Sequence, residues 1–465
     1  MTMVSIAATL LFPFFIFAAA MTPEQKADKV TSLPGQPNVS FEHFSGYVRL
    51  GLDKEKAFFY WFFEAEESPS EKPLVLWLQG GPGCSSIASG AAQELGPFLV
   101  KDKGLEFNRF SWNRVANVIF LESPVGVGFS YTNSSKDLDE LGDLVTATDN
   151  YAFLLGWLER FPSFKYHDFY ITGESYAGHY VPQLADLIYE RNKEGKKDSY
   201  INLKGILVGN AVLDDLADTK GFVDYAWTHA IISDNTYFGL INNCYLDFSI
   251  QNQTQLCYSH IKNLMISYND INIFNIYSPV CTKDNGEPAS RHLSLHELWH
   301  KIPSVYNPCI EDEVSKYFNN KDVQKALHAN TTSLAYPYTL CSTVMGKWND
   351  MPKTVLPLIQ KLLTVGLRIW IYSGDTDGRI PVTSTKYSIN KMGLKVKKAW
   401  RAWFYKHQVA GWVEEYEGGL TFVTIRGAGH QVPTFAPGQA LSLFSHFLSS
   451  RSLPSSSVSG DHIFL

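Results

Sequence analysis

The sequence predicts an α/β fold, in which a mostly parallel central sheet carries helices on both faces. Continuous apolar runs such as Leu74–Leu78 and residues 118–121 are typical of strands buried on both faces. These runs alternate with segments of helical periodicity such as Asp143–Arg160. A third observation is a sharp turn at Gly173, which follows the strand-like run 169–172 and leads into another helix. The 465 residues, 45% of them apolar, are enough to bury a large core.

The turn carries a serine, Ser175, between small residues. A serine on a strand-to-helix turn is the nucleophile elbow of α/β-hydrolases, because a bulky neighbour would block access to its Oγ. The pattern G-x-S-x-G is matched from Gly173, except that Ala177 stands in the last glycine position and Gly178 follows. The alternative is a buried strand–turn–helix in which Ser175 only caps the helix. We adopt the elbow, which predicts an α/β-hydrolase fold.

The elements before the elbow fit the same sheet. Residues 41–63 alternate between apolar and polar positions and predict an antiparallel opening. Leu74–Leu78 then leads into the glycine-rich turn Gln79-Gly80-Gly81-Pro82-Gly83. A phosphate-binding loop is excluded, because no Gly-Lys-Ser/Thr follows and Pro82 lacks an N–H donor. We interpret the turn as an oxyanion loop, whose backbone N–H groups approach a developing negative charge.

The alternation of predicted strands and helices along the chain breaks between about 211 and 349, after the strand-like run 206–208. This segment holds five of the six cysteines, so we predict an inserted, helical, disulfide-stapled cap. Its polar stretch 282–292 predicts an exposed loop open to proteolysis. The sheet resumes at residues 368–372 and ends with the strand Leu420–Ile425.

A serine nucleophile needs a base, and the base needs an orienting acid. In this fold the order is serine, acid, histidine, each after a strand. Asp377 and His430 satisfy this order, because each follows a predicted strand in a glycine-rich turn. Asp375 is the rival for the acid. His179 lies so close to Ser175 in sequence that we expect it to pack rather than act as the base.

A competing motif is His296-Glu297-Leu298-Trp299-His300, which matches the zinc-protease pattern H-E-x-x-H. It lies beside the predicted exposed loop, Pro303 ends any helix soon afterwards, and no third ligand stands out. We interpret it as a solvated helix, and we expect neither a metal nor another cofactor.

The first 20 residues are predicted to be a secretory signal peptide, because 4–20 are apolar and end in small residues. Residues 21–465 are predicted to form a single catalytic domain. No other run approaches the ~20 apolar residues of a membrane span, so we expect no membrane association. The net charge of −6 gives no argument for nucleic acid as a partner.

Six cysteines fit an oxidising compartment, and we expect an extracellular or vacuolar protein of the secretory pathway. Six cysteines allow fifteen pairings, and their positions do not choose among them. The absence of a C-x-x-C pair argues against a structural zinc site. Four N-x-S/T sequons predict glycosylation on surface loops, at Asn38, Asn133, Asn252 and Asn330.

Several motifs together resemble the plant serine carboxypeptidase family, especially its two-chain branch, which is similar to wheat carboxypeptidase II. They span roughly residues 40–450 and lie at 77–86, 122–131, 173–182, 209–210, 373–377 and 427–433. The resemblance implies that Ser175 is the nucleophile, Asp377 the acid and His430 the base. It implies an oxyanion hole formed by the N–H groups of Gly81 and Tyr176.

The resemblance also implies a site for the free carboxylate of a peptide C-terminus, at Gln79, Gly80, Glu94 and Glu174. Two adjacent glutamates cannot both ionise cheaply, so one keeps a proton and donates it to the substrate, which favours acidic conditions. This chain has Gln79 where the family usually has Asn. The family's disulfide pairing would give Cys84–Cys341, Cys244–Cys257 and Cys281–Cys309. The linker that two-chain members lose would fall at about 282–300. Its excision would make the protein a processed zymogen.

We therefore predict a serine-type carboxypeptidase that acts on peptide or protein C-termini. The alternatives are an acyltransferase of the same fold that uses glucose-ester donors, a hydroxynitrile lyase built on the family fold, and a catalytically silent binding homologue. The intact motifs argue against the lyase. Members of the family often form homodimers, but no exposed stripe of residues in this sequence indicates a dimer interface.

Overall fold

The computed structural model describes residues 21–51, 55–101, 104–247, 253–280 and 308–456. Four predictions lie outside these ranges: the signal peptide (1–20), the excised linker (282–300) with its H-E-x-x-H motif, the sequon asparagine Asn252, and the partner Cys281 of the third cysteine pair.

A large mixed sheet forms the centre of the molecule. Among the described residues, twelve strands belong to it, in the spatial order β1-β2-β3-β7-β4-β9-β10-β11-β14-β13-β12, with β8 paired to β3, while β5 and β6 form a separate hairpin. The strands are β1 Lys29–Val30, β2 His43–Leu50, β3 Lys56–Phe63, β4 Leu74–Leu78, β5 Phe98–Lys101, β6 Gly104–Phe107, β7 Asn117–Leu121, β8 Tyr131–Thr132, β9 Phe169–Glu174, β10 Leu203–Gly209, β11 Arg368–Gly374, β12 Val396–Tyr405, β13 Gln408–Tyr416 and β14 Leu420–Ile425.

The middle of this sheet is parallel. Strands β7, β4, β9, β10, β11 and β14 pair in parallel with their neighbours, and antiparallel strands flank them on both sides. All residues of β4, β7 and β9 are buried, as their apolar runs require when helices cover both faces. The predicted sheet is thus confirmed, and β9, which ends at the predicted elbow, lies at its centre.

Helices cover the sheet on both faces. They are α1 Pro23–Asp28, α2 Ser135–Asp139, α3 Asp143–Arg160, α4 Ala177–Lys193, α5 Asp215–Thr228, α6 Asp234–Asn243, α7 Gln255–Ser267, α8 Pro308–Phe318, α9 Lys321–Ala326, α10 Leu356–Thr364, α11 Val382–Lys391, α12 Val432–Phe435 and α13 Pro437–Ser449, with a π-helix at Ser86–Glu94. One core cluster joins α3, α4 and α10 to one face of the sheet. A second joins the π-helix, α8 and α13 to the other face.

Helices α5, α6 and α7 form a third cluster with residues 268–276. Side-chain caps start all three helices, since Asp214, Ser233 and Thr254 accept from backbone N–H groups of the first turn. A disulfide, Cys244–Cys257, joins α6 to α7. In the described part of the predicted cap, about 211–349, the helices fall into two groups: α5–α7 pack on one another, whereas α8 and α9 pack in the second core cluster with the sheet.

Two features were not predicted from the sequence. In the edge hairpin β12–β13, half of the β12 residues are exposed and only one is buried, so the strand has little alternation of apolar and polar residues. The helix at Ser86–Glu94 is rich in Ala, Gly and Ser, which give no periodic apolar signal. Across the described ranges, no helix is both long and apolar enough to cross a membrane.

Candidate active site

Ser175 lies on the turn between β9 and α4, with its backbone in the left-handed region at φ 64°. Its N–H donates to the carbonyl oxygen of Gly209 at 3.0 Å, and its own carbonyl accepts from Gly178 and Val212, both at 3.0 Å. These bonds tie the turn to the end of the neighbouring strand β10. They hold a non-glycine residue in a conformation that it would otherwise avoid, as a nucleophile elbow requires.

The small residues around Ser175 are explained by close approaches. A Cβ at Gly173 would lie 2.6 Å from the Cβ of Ala177, and a Cβ at Gly178 would lie 2.3 Å from the carbonyl oxygen of Val212. Ala177 itself fits because Gly173 leaves room for its methyl group. The shift of the second glycine from position 177 to 178 follows from the path of residues 211–212, which run against α4 at that point.

His430 and Asp377 meet at the ends of β14 and β11. His430 Nδ1 lies 2.7 Å from Asp377 Oδ2, and both side chains are fully buried. Asp377 also accepts from the amide nitrogen of Asn210 at 2.8 Å and from the backbone N–H groups of Arg379 and Ile380 at 2.7 and 3.2 Å. These donors fix the position of the Asp377 carboxyl group, as an orienting acid requires.

Asp375, the rival for the acid, has a different partner. Its Oδ1 accepts from the backbone N–H of Gly427 at 2.7 Å and joins the two loops that follow β11 and β14. The structure therefore brings Asp377, and not Asp375, to His430.

The other imidazole nitrogen of His430, Nε2, is buried and has no hydrogen-bond partner among the described residues. It is the nitrogen through which a base would act on a serine hydroxyl. Ser175 Oγ is thus not bonded to it in this structure, and such bonds often tighten only when substrate is present.

Residues 272–276 of the cap, which we call the strap, hold the loops of both candidate residues. The carbonyls of Ile273 and Phe274 accept from the N–H groups of Gly378 and His430 at 2.9 and 2.6 Å, and the N–H of Ile276 donates to the carbonyl of Thr376 at 3.0 Å. The Phe274 ring lies 5.2 Å from the imidazole of His430. The strap therefore fixes the backbone of the acid loop and of the base loop at the same time.

The glycine-rich turn after β4 packs directly against the elbow. A Cβ at Gly80 would lie 2.4 Å from the backbone nitrogen of Tyr176. The N–H groups of Gly81 and Tyr176 donate to no group in the described part of the chain. They can therefore donate to an oxyanion that develops beside Ser175.

A disulfide and two backbone bonds hold this turn from the other side. Cys84 is bonded to Cys341, the N–H of Ser85 donates to Leu340 at 2.7 Å, and the N–H of Ser342 donates to Gly83 at 2.8 Å. A segment 257 residues away in sequence thereby fixes the glycine-rich turn. The third expected pair involves Cys281, which lies outside the described residues, and Cys309, which is disulfide-bonded.

A buried carboxyl, Glu122, supports the same turn. Its Oε1 accepts from Ser85 Oγ at 2.6 Å and from the Tyr338 hydroxyl at 2.7 Å, and its Oε2 accepts from the N–H of Phe129 at 2.5 Å. Burial raises the pKa of Glu122 to about 7, although these three donors oppose the shift. Ser85 also caps the π-helix by accepting from Ile87 and Ala88, so Glu122 supports the loop and the helix together.

The π-helix ends at Glu94, which lies against Glu174 and Gln79 in a fully buried group. Gln79 Nε2 donates to Glu174 Oε1 at 3.1 Å, and Gln79 Oε1 accepts from the indole of Trp77 at 2.9 Å. The indole thus orients the longer amide of Gln79 toward Glu174. The two carboxyls contact each other, yet both oxygens of Glu94 and Oε2 of Glu174 lack a donor among the described residues.

Two buried carboxyls in contact cannot both ionise cheaply, so the pair keeps a proton. Burial raises the pKa of Glu94, and burial followed by the charge of Glu94 raises the pKa of Glu174. The pair lies beside the elbow, since Glu174 precedes Ser175. Chemically it can bind an anion only while it keeps a proton to donate.

Tyr176 is anchored behind the elbow by Asp143. The Tyr176 hydroxyl and the Trp348 indole donate to Asp143 Oδ1 at 2.8 and 2.9 Å, and Gln183 and His179 Nδ1 lie 2.5 and 3.1 Å from Oδ2. His179 is buried and stacks on Tyr176 at 4.9 Å between ring centroids. The expectation that His179 packs agrees with this position.

Several site residues were missed from the sequence. Asn210 was noted only as part of a motif, although an Asn at the carboxyl end of a parallel strand could have signalled a donor to the acid. Glu122, Asp143 and Phe274 gave no local signal, because their roles depend on contacts between distant segments.

The predicted surface sites differ in exposure. Asn38 and Asn133 are exposed, whereas Asn330 is half-buried, with its amide bonded to Gln324 at 3.0 Å and to the N–H of Leu334 at 2.7 Å. Within the described ranges, no three His, Cys, Asp or Glu side chains lie where they could share a metal ion.

A family model described as serine carboxypeptidase matches residues 34–450 of this chain. The chain is 61% identical to Serine carboxypeptidase-like 35 of Arabidopsis thaliana over 440 residues, which cover 92% of each chain. It is 49% identical to Serine carboxypeptidase 24 of the same organism over 448 residues, which cover 94% of this chain and 96% of that protein.

Among solved structures, the chain is similar to Kex1Δp, a prohormone-processing carboxypeptidase from Saccharomyces cerevisiae. The TM-score is 0.75 with 24% identity, and the match covers 92% of this chain and 97% of that one. At this identity the likeness shows the fold alone. It confirms the predicted α/β-hydrolase fold class.

Proposed function

The chain belongs to the serine carboxypeptidase family, and on that premise we propose that it is a serine-type carboxypeptidase that releases C-terminal residues from peptides at acidic pH. The observation that carries the proposal is the buried pair Glu94–Glu174 beside the elbow. A hydrolase of ordinary esters has no need of two carboxyls that share a proton next to its nucleophile. A peptidase that selects chain ends does need an acidic donor for the terminal carboxylate.

In this proposal Ser175 Oγ attacks the carbonyl carbon of the last peptide bond, and His430 Nε2 takes the hydroxyl proton. The N–H groups of Gly81 and Tyr176 bind the oxyanion of the tetrahedral intermediate. His430 then donates the proton to the leaving amine as the C–N bond breaks, which leaves an acyl-enzyme on Ser175. Water, deprotonated by His430, attacks the acyl carbon and restores the serine.

The substrate's terminal carboxylate would be bound by the protonated member of the glutamate pair, by Gln79 Nε2 and by the backbone at Gly80. The raised pKa of both glutamates supports this role, because it keeps a proton on the pair above the usual range of a carboxyl. As pH rises and the proton leaves, the pair becomes an anionic surface that repels the substrate. KM should therefore rise with pH, whereas kcat at saturating substrate should change less.

We also propose a place in the secretory pathway, extracellular or vacuolar. The two disulfides and the exposed sequon asparagines Asn38 and Asn133 support it. Asn330 is the least suited of the described sequons to carry a glycan, because its amide already bonds within the protein.

The test is the pH profile of residue release from N-blocked dipeptides with free C-termini, measured beside the same dipeptides amidated at the C-terminus. Release from the free acids alone, strongest below neutral pH, supports the proposal. Ser175→Ala is the control and should abolish release without changing the thermal unfolding midpoint.

Labelling of Ser175 by a fluorophosphonate separates the rivals. A labelled protein that releases nothing from either peptide, but transfers acyl groups from a glucose ester, would overturn the peptidase in favour of the acyltransferase. A folded protein that is neither labelled nor active would indicate a catalytically silent homologue.

A further inference from the structure

Three neighbouring strands carry Glu174, Gly209 and Tyr372 in one row. Gly209 on β10 is in register with Glu174 on β9 and with Tyr372 on β11. Residues in register on parallel strands point to the same face of the sheet. Glu174 and Tyr372 therefore project on the same side, separated by one strand that has no side chain at that position.

The phenol of Tyr372 occupies the space that a side chain at Gly209 would fill. A Cβ at Gly209 would lie 2.0 Å from Cζ and 2.3 Å from the hydroxyl oxygen of Tyr372. The ring thus extends across β10 toward Glu174. Glycine is required at position 209 because any other residue would displace the phenol.

The same arrangement recurs in the same sheet, at the opposite end of these strands. Gly205 on β10 is in register with Tyr170 on β9 and Arg368 on β11. There the two side chains meet across the glycine, and Arg368 Nη1 donates to the Tyr170 hydroxyl at 3.3 Å. A glycine in the middle strand of this sheet therefore lets side chains two strands apart interact.

The Tyr372 hydroxyl is buried and has no hydrogen-bond partner among the described residues, and neither has Glu174 Oε2. Burial and the nearby charges of Glu174 and Glu94 raise the pKa of Tyr372, so its phenol stays protonated and can only donate to a carboxylate. The titratable groups that face Glu174 are Glu94 from the π-helix, Tyr372 from β11 and Asp377 from the loop after β11.

We propose that Tyr372 is a positioning residue of the glutamate pair, whose phenol donates a hydrogen bond to Glu174 that is strongest when the pair has lost its last proton. The inference rests on the proposed function, because it specifies how the site for the substrate's carboxylate is held. A donor to the charged form of an acid favours that form. Tyr372 therefore sets the pH at which the pair loses its last proton.

The test is Tyr372→Phe, which keeps the ring and removes only the hydroxyl. The pH at which KM for the free-acid dipeptide begins to rise should move upward by about one unit, the shift expected from one hydrogen bond to a charged group. The kcat at low pH should stay unchanged. Tyr170→Phe is the matched control, since it removes the hydroxyl at the other glycine of β10, and its KM profile should match the wild type.

A KM profile of Tyr372→Phe that coincides with the wild type would overturn the inference, provided that the wild type distinguishes free acids from amides. If the wild type makes no such distinction, the proposed function fails and the pair is examined directly. The infrared carbonyl band of the buried carboxylic acid, assigned by its loss in Glu94→Gln, should then titrate at higher pH in Tyr372→Phe. An unchanged midpoint of that band would also overturn the inference.

Discussion

Asn210 and His430 bind the same oxygen of Asp377, at 2.8 and 2.7 Å. The Asn210 amide also accepts from the N–H of Gly374 at 3.0 Å, so its orientation is fixed by β11 itself. The amide and the imidazole therefore share one carboxylate oxygen, Oδ2. The orientation of the His430 ring therefore depends on the position in which Asn210 holds the Asp377 carboxyl group.

Asn210→Gly should lower kcat about tenfold, which corresponds to about 1.4 kcal/mol for one hydrogen bond to a charged group. Glycine is the suitable replacement because Asn210 has a positive φ of 42°. KM should stay within about twofold, because the amide is expected to touch no substrate.

Asn330→Gly is the matched control for that change. Asn330 also has a positive φ, 50°, and also bonds through its amide, but it lies away from the elbow. It should lose a comparable amount of stability and keep its kcat. Equal losses of kcat in the two variants would show that Asn210 acts on stability alone.

Tyr176→Phe and Trp348→Phe form a second matched pair. Each removes one donor from Asp143 Oδ1, at 2.8 and 2.9 Å. The free energy of unfolding should fall by about 1 kcal/mol in Tyr176→Phe, and by more in Trp348→Phe, because its smaller ring also loses contact with Tyr176 and Tyr180. Only Tyr176→Phe should lower kcat, by a few-fold, because only Tyr176 carries a candidate oxyanion N–H. Stopped-flow rates of acylation with an activated ester measure the difference, and equal rates in the two variants would contradict it.

Glu122 should make stability depend on pH. Its pKa is raised to about 7 in the folded protein, so the folded state holds its proton at pH values where the unfolded chain has lost it. Its contribution is therefore fully present below the ordinary carboxyl pKa and is lost as pH rises to about 7. The loss is on the order of 3 kcal/mol.

Glu122→Gln replaces the titrating carboxyl by a neutral amide. It should reduce the loss of unfolding free energy that occurs as pH rises to about 7. Urea midpoints at pH 5 and pH 8 measure it: the wild type should lose more stability over this interval than the variant. Glu190→Gln, on the exposed surface of α4, should leave the slope unchanged. A variant slope equal to that of the wild type would show that Glu122 does not titrate in this range.

The two described disulfides should differ in their effect on catalysis. Cys84–Cys341 closes a separation of 257 residues and holds the glycine-rich turn proposed to bind the oxyanion, whereas Cys244–Cys257 closes 13 residues within the cap. Replacing both cysteines of the first pair by serine should cost about 2–5 kcal/mol and lower kcat. The same change in the second pair should cost less and leave kcat within about twofold. Thermal unfolding and kcat, measured on the same preparations, check both statements.

The sequence predicted the parts of the fold whose signal is local. Leu74–Leu78, Asp143–Arg160 and the turn at Ser175 combine length, periodicity and small residues within one segment. The order of Ser175, Asp377 and His430 along the chain was readable for the same reason. The resemblance to a family then supplied Gln79, Glu94 and Glu174, which local pattern alone would not have joined.

Other features could not be read because they depend on pairs of distant residues. No sequence pattern near Glu122 predicts that Ser85 and Tyr338 donate to it, since Tyr338 lies 216 residues away. The role of Gly209 is visible only when its neighbours in the sheet are known. The role of the strap at 272–276 could not be predicted from the sequence either. Its bonds to Gly378 and His430 use backbone atoms that every residue has.

The strap also has a consequence for how the cap can move. Its carbonyls at Ile273 and Phe274 hold the loops of Asp377 and His430, so a cap that swung away as a rigid body would release both loops in one motion. The position of the cap and the positions of these two loops are thus coupled. In a chain whose cap has not docked, the loops of Asp377 and His430 lack these backbone bonds, so the candidate acid and the candidate base lose their common support.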